Sequence, residues 1–299
     1  MLKIILDTDM GPDCDDAGAL AIANKLHRKG EIQLLGVTHC TSDIGGAYTI
    51  AAINRMFSNQ EIPVGQTSET GFLDEKENQT FTAEIKADYI RRYGTRSFED
   101  STFMLRKLLA ENTGVKLICI GQLNNLAALL KSEEDAISPK NGRELVAASL
   151  KAAVIMGGDF RGSCYDAEYN IRCDVESARY VAANCPVPIT YCGYEVGMEV
   201  LSGKAVQEWR ETNPVRIAYD RFLKKNGQNN SFLRPSWDLI AVSFGVKGGM
   251  GLWNTRDHVT VDFDMQGKTI VKQGGKDSYL VNVGSADKIA VELEALLKL

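Results

Sequence analysis

Histidine is scarce in this chain of 299 residues: there are three, His27, His39 and His258. The seven cysteines (Cys14, Cys40, Cys119, Cys164, Cys173, Cys185, Cys192) are odd in number, scattered and without CxxC spacing. Nothing therefore suggests a zinc site or a redox pair, and buried or half-buried free thiols are expected. No apolar run approaches the roughly 20 residues needed to cross a bilayer. The opening, Met1-Leu2-Lys3-Ile4-Ile5-Leu6-Asp7, meets a carboxylate too early for a secretory signal. Cytoplasmic placement is the expectation, unless a signal segment once preceded residue 1. Lys and Arg number 34 against 39 Asp and Glu, and no basic cluster carries interleaved aromatics. Nucleic acid and membrane are accordingly not expected partners. A small neutral ligand fits better.

What the chain does contain is an alternation of apolar runs and amphipathic stretches. Residues 3–6 read as a buried strand, followed by a polar turn and a helix from about Asp15 that ends at Gly30. Residues 32–38 are again apolar and β-branched, which completes the βαβ unit of a parallel sheet. Further strands are expected at 115–120, 152–156 and 187–191, with helices near 101–113, where Ser101 is a plausible cap, and at 124–130. Residues 66–82 are polar and acidic with little periodicity, the pattern of a long mobile loop. The tail changes period, predicting antiparallel strands at 258–264, 268–271 and 279–283 before a last helix. The expected fold is α/β: an open, mostly parallel sheet flanked by helices, with a small C-terminal antiparallel element, all in one domain spanning 1–299. In such sheets ligands bind outside the carboxyl ends of the strands.

One of those ends is crowded with charge. In Asp7-Thr8-Asp9-Met10-Gly11-Pro12-Asp13-Cys14-Asp15-Asp16, five carboxylates fall within ten residues. Left alone they repel one another; a helix N-terminus offsets part of this and a bound cation much more. Hard oxygen donors at this density suit calcium or magnesium over zinc or copper. The spacing is not that of an EF-hand, which would place a Glu at its twelfth position. The plainer alternative is that Asp15 caps the helix and the others are solvated.

This segment resembles the amino-terminal signature of the nucleoside hydrolases, in a form two residues longer between the Gly and the Asp pair than the common one. Four further segments follow in that family's order: Gly121-Gln122-Leu123-Asn124-Asn125-Leu126-Ala127, Val154-Ile155-Met156-Gly157-Gly158, Ala167-Glu168-Tyr169-Asn170-Ile171-Arg172-Cys173-Asp174, and Trp237-Asp238-Leu239-Ile240-Ala241-Val242. The resemblance implies calcium-dependent hydrolysis of the N-glycosidic bond of a ribonucleoside or related ribosyl compound, and a homo-oligomer, dimer or tetramer. It also implies site residues. Asp9, Asp16 and Asp238 would be the calcium carboxylates, with the main-chain carbonyl of Asn124 as a further ligand and Asp9 doubling as general base. Asp15 would grip ribose hydroxyls, with Asp13 a competitor for that register. Glu168 and Asn170 would bind the sugar and Met156 would lie at its floor. On an extended segment Glu168 and Asn170 would also simply face solvent together. Asp174 either orients the site or caps the helix that follows it.

The chain departs from the family at the leaving group. Trp237 stands where better-known members have His, and residues 66–73 lack the family's early His-Gly. Trp237 would then stack on the base and assist through its π face, or merely pack. His27 and His258 are expected to be structural, while His39 follows a strand end and is within conceivable reach of the site. Three rival readings remain. One is a ribosyl-ligand binder that kept calcium and lost turnover, and another a hydrolase of a non-nucleoside glycoside. The third, a haloacid dehalogenase-type phosphatase suggested by Asp7-Thr8-Asp9, needs a later Lys and a Thr or Ser strand end that no convincing set supplies.

Overall fold

The computed structural model describes residues 1–58, 60–162, 165–229 and 231–298. In chain order the strands are β1 (Leu2–Thr8), β2 (Ile32–His39), β3 (Val64–Gln66), β4 (Glu99–Asp100), β5 (Val115–Cys119), β6 (Leu150–Met156), β7 (Ile189–Cys192), β8 (Leu201–Ser202), β9 (Arg234–Pro235), β10 (Trp253–Phe263), β11 (Thr269–Gln273) and β12 (Asp277–Asn282). Ten of them form one sheet, ordered β11-β10-β12-β7-β6-β5-β1-β2-β3-β4, and β8 pairs with β9 in a separate ribbon. Within the large sheet β10 alone runs against the rest, antiparallel to both β11 and β12, while β12 is parallel to β7. The small antiparallel element expected at the C-terminus is thus present, as an extension of the main sheet's edge.

Both faces of the sheet are covered, which explains why the central strands are apolar without alternation. In β1, Ile4 and Leu6 pack into the core beneath the helices Asp15–Arg28 and Trp237–Lys247, and Ile5 faces the other core beneath Asn124–Lys131. All three are fully buried, each stabilising the fold by roughly 1.5–3 kcal/mol. The helices Ile44–Phe57, Thr82–Tyr93 and Pro214–Lys225 were not assigned from the sequence, although two carry ordinary caps. Asp43 accepts from the Gly45 amide, and Asn213 accepts from the Val215 amide with Pro214 in the first turn. The cap expected at Ser101 is Asp100 instead, whose carboxylate takes the Phe103 amide at 2.8 Å.

The chain leaves β1 toward β2 on one side and later returns to place β5 on the other. This reversal makes the crevice between the carboxyl ends of β1 and β5 a topological switch point, the place where an open α/β sheet receives its ligand.

Candidate active site

The loop after β1 rises into that crevice and carries the acidic cluster. Its course depends on a glycine at the end of β5: a side-chain carbon on Gly121 would lie 2.7 Å from the Asp9 amide nitrogen and 2.8 Å from the Cys40 sulfur. The loops that follow β1, β2 and β5 therefore pass at a separation only glycine allows. Below them Asp7 accepts hydrogen bonds from Asn125, at 2.8 Å, and from Thr38, tying β1, β2 and the β5 loop together. Burial raises the Asp7 carboxyl to about 7.

Asp15, Asp16 and Asp238 converge at the head of two helices, each offering an oxygen within 4.8 Å of the other two. All three are buried. Their carboxyls are pushed well above the usual range, first by burial and then by neighbouring carboxylate charge. Thr8 donates to Asp16, and the Asp238 amide donates to Asp15 at 3.2 Å. A compact set of hard oxygens with mutually repelling charge is what a divalent cation such as calcium or magnesium fits. Asp9 stands beside this triplet. It accepts a hydrogen bond from the Gln122 amide at 2.8 Å, and its carboxyl is raised to about 6 by burial, with the Gln122 bond pulling the other way. Asp15 thus belongs to the close triplet in which the sequence reading placed Asp9.

One cavity of about 540 Å³ collects these groups. Its lining includes Asp9, Asp13, Asp15, Asp16, Met156, Glu168, Asn170, Trp237 and Asp238. Asn124 opens the helix after β5, and its side chain donates to the Cys40 carbonyl at 2.8 Å and to Glu69 at 3.0 Å. Glu168 and Asn170 do not sit on an extended strand. Glu168 caps the short helix Tyr169–Cys173, accepting from the Asn170 and Ile171 amides as well as from Gly158, so cap and first turn present both residues to the cavity. Burial raises Glu168 to about 7. Asn170 donates to the carbonyl and the sulfur of Met156.

These positions bear on alternatives that the sequence left open. Asp174 caps Val175–Asn184 through the Ser177 amide at 3.0 Å and is not among the cavity residues. Asp13 lines the cavity and is clamped by Arg234, with Nε at 2.9 Å from one oxygen and Nη2 on the other, whereas Asp15 belongs to the close triplet. His39 is fully buried beneath the acidic loop, in contact with Gln66 and the Met10 carbonyl, and does not line the cavity. The indole N–H of Trp237 is already spent on the Tyr194 carbonyl at 2.7 Å, leaving only its ring to act. Six cysteines are free thiols, and Cys164 lies outside the described residues.

The sequence reading missed Gln122, Tyr194, Phe222 and Arg234. Gln122 bridges Asp9 and Asn170, its Nε2 lying 3.2 Å from the Asn170 oxygen. Its place in the recognised segment after β5 was the available signal. Tyr194 stacks on Trp237 with ring centroids 5.4 Å apart, and the Arg234 guanidinium lies 5.3 Å from the Trp237 ring and 4.9 Å from that of Phe222. The loop 66–82 does reach the site: Asn78, from the 3-10 turn Lys76–Asn78, lines the cavity.

An open, mostly parallel sheet of an α/β protein thus gathers buried carboxylates at its switch point, beside a cavity of small-molecule size. The family model described as inosine-uridine preferring nucleoside hydrolase matches residues 4–294, and the chain belongs to that family of N-glycosyl hydrolases. Solved structures share the fold at low identity. The inosine-uridine preferring nucleoside hydrolase from Bacillus anthracis aligns over 100% of this chain and 99% of its own, at 18% identity and a TM-score of 0.75. The purine-preferring ribonucleoside hydrolase from Gardnerella vaginalis aligns over 99% and 98%, at 20% identity and 0.74. The type III effector protein XopQ, solved with adenosine diphosphate ribose, aligns over 99% and 92%, at 18% identity and 0.71. A comparison with curated proteins found no match.

Proposed function

We propose that this chain hydrolyses the N-glycosidic bond of a ribonucleoside in a calcium-dependent reaction, releasing free base and ribose. The observation that carries this reading is the shared cavity. The Asp15, Asp16 and Asp238 triplet and the linked Asp9, Gln122 and Asn170 side chains open onto one space or brace those that do. Asp16 and Asp238 would hold the ion, with Asp9, Asp15 and the Asn124 carbonyl as the remaining candidate ligands. When bound, calcium supplies a fixed charge that anchors vicinal hydroxyls and acidifies water.

The protein's own groups then divide the work. Asp9 takes a proton from the attacking water, its carboxylate lining the cavity and held in place by the Gln122 amide. Gln122 fixes the orientation of that carboxylate. Glu168, Asn170 and Met156 form the sugar side, where Glu168 can accept from a hydroxyl while its cap bonds hold it still. Trp237 offers its ring to the base side. As water adds to the anomeric carbon, the C–N bond breaks and its electron pair leaves on the base nitrogen. Holding all partners in one cavity makes the reaction effectively intramolecular.

Incubation with a panel of purine and pyrimidine ribonucleosides, with calcium or with chelator, tests the reading through released reducing sugar. Sugar should appear only with calcium; none from any nucleoside would sink it. The ADP-ribose recorded in XopQ favours one second reading, a ribosyl-ligand binder, which predicts calcium-dependent binding with no sugar released.

A further inference from the structure

Departure of a nucleobase leaves an electron pair on a ring nitrogen, and a site that speeds this needs a donor facing the base. The usual candidates are missing here. Among the described residues no histidine or lysine lines the cavity, His39 is sealed beneath the acidic loop, and the Trp237 N–H is engaged by the Tyr194 carbonyl. Among the described residues Arg234 is the one cationic side chain in the lining.

Its guanidinium is held by three neighbours. Asp13 takes the side edge, Nε and Nη2. The rings of Phe222 and Trp237 lie 4.9 and 5.3 Å away. Asp13 occupies one edge of a planar fork, and Nη1 has no hydrogen-bond partner among the described residues. The end-on edge, Nη1 with the second hydrogen of Nη2, remains available. Two parallel donors on a rigid plane match two adjacent acceptors, as Arg matches a purine ring nitrogen and its neighbouring carbonyl oxygen.

Building on the hydrolase reading, we infer that the end-on edge of Arg234 receives the departing base, and that Asp13 positions it there. The base so recognised is a purine with a carbonyl oxygen beside its ring nitrogen. Arg234 donates two hydrogen bonds and gives up no proton. The bond between the anomeric carbon and the base nitrogen breaks, water supplies the new hydroxyl of ribose, Asp9 takes the water's proton and releases it to solvent, and the base nitrogen takes up a proton from solvent. Atoms and charge balance without any further reactant.

Three substrates test this with wild type and Arg234→Gln: inosine, 7-deazainosine, which lacks the ring-nitrogen acceptor, and 4-nitrophenyl riboside, whose leaving group needs no donor. In wild type, removing the acceptor should lower kcat/KM by more than in Arg234→Gln, by roughly 10- to 100-fold, the worth of a good bidentate pair. Arg234→Gln should also lower the ratio of inosine to 4-nitrophenyl riboside turnover by about the same factor. An unchanged ratio, or equal sensitivity of both proteins to the deaza substitution, overturns the inference. Because turnover of the nitrophenyl riboside reports on an intact sugar side, a variant that loses both substrates equally also counts against it. If wild type cleaves neither substrate nor any nucleoside, the hydrolase reading itself fails; cleavage of the nitrophenyl riboside but not of inosine overturns only the role of Arg234.

Discussion

At the scale of single residues, the site depends on groups that never face the ligand. Gln122 is fully buried, yet its one amide group holds both Asp9 and Asn170. Replacing it with leucine leaves two polar side chains without a shared partner and frees the Asp9 carboxylate to rotate. Gln122→Leu should lower kcat by about 10- to 100-fold, the usual loss when a group that orients a site residue is removed. It should change KM much less, and steady-state kinetics on the preferred nucleoside would separate the two. A loss confined to KM would show that Gln122 serves binding alone. Gln122 was within a recognised motif but carried no charge, and nothing in one dimension showed that its amide would reach Asp9 and Asn170.

At the scale of elements, the helix Tyr169–Cys173 ties stability to binding. It is five residues long, too short to persist alone, and its first amides are satisfied by the Glu168 carboxylate. Glu168→Ala removes that cap and should destabilise the protein by about 1–2 kcal/mol. Glu168→Gln keeps one accepting oxygen but turns the other into an NH2 that faces a backbone N–H, so it should recover only part of that loss while still raising KM, because a neutral amide holds a sugar hydroxyl less strongly than a carboxylate. Thermal melts beside KM values decide it: if the Gln variant binds as well as wild type, Glu168 is structural only. The sequence showed Glu168 and Asn170 two apart and suggested an extended face. The short helix overrode that reading because its periodicity spans barely more than one turn and leaves no legible pattern.

For the whole molecule, the acidic site sets how stability responds to pH and to calcium. Burial raises Asp7 to about 7, Asp9 to about 6 and Glu168 to about 7, above the ordinary 3.8, 3.8 and 4.5. A raised carboxyl favours the folded state while it is protonated. Its contribution is therefore complete below about pH 4 and is lost as pH rises through about 6 to 7, every tenfold gain in proton affinity on folding being worth roughly 1.4 kcal/mol. Chelator-treated protein should accordingly melt at a lower temperature at pH 8 than at pH 5, and calcium should narrow the difference by compensating the ionised cluster. Calorimetry across that range with and without chelator measures this directly; a chelated protein that is most stable at pH 8 would contradict it.

The sequence by itself determined the layered α/β architecture, because buried parallel strands must be apolar on both faces and amphipathic helices must cover them. It also determined the acidic turn after β1, since five carboxylates in ten residues are legible at any distance from the rest of the chain. Only the tertiary structure decided which carboxylates meet. Asp238 reaches Asp15 and Asp16 across more than 220 positions because its helix docks beside the helix that follows β1. The same long-range packing turned Asp13 toward Arg234, sealed His39 below the loop and spent the Trp237 N–H on a carbonyl. Those outcomes follow from which surfaces pack together, a property that local spacing does not encode.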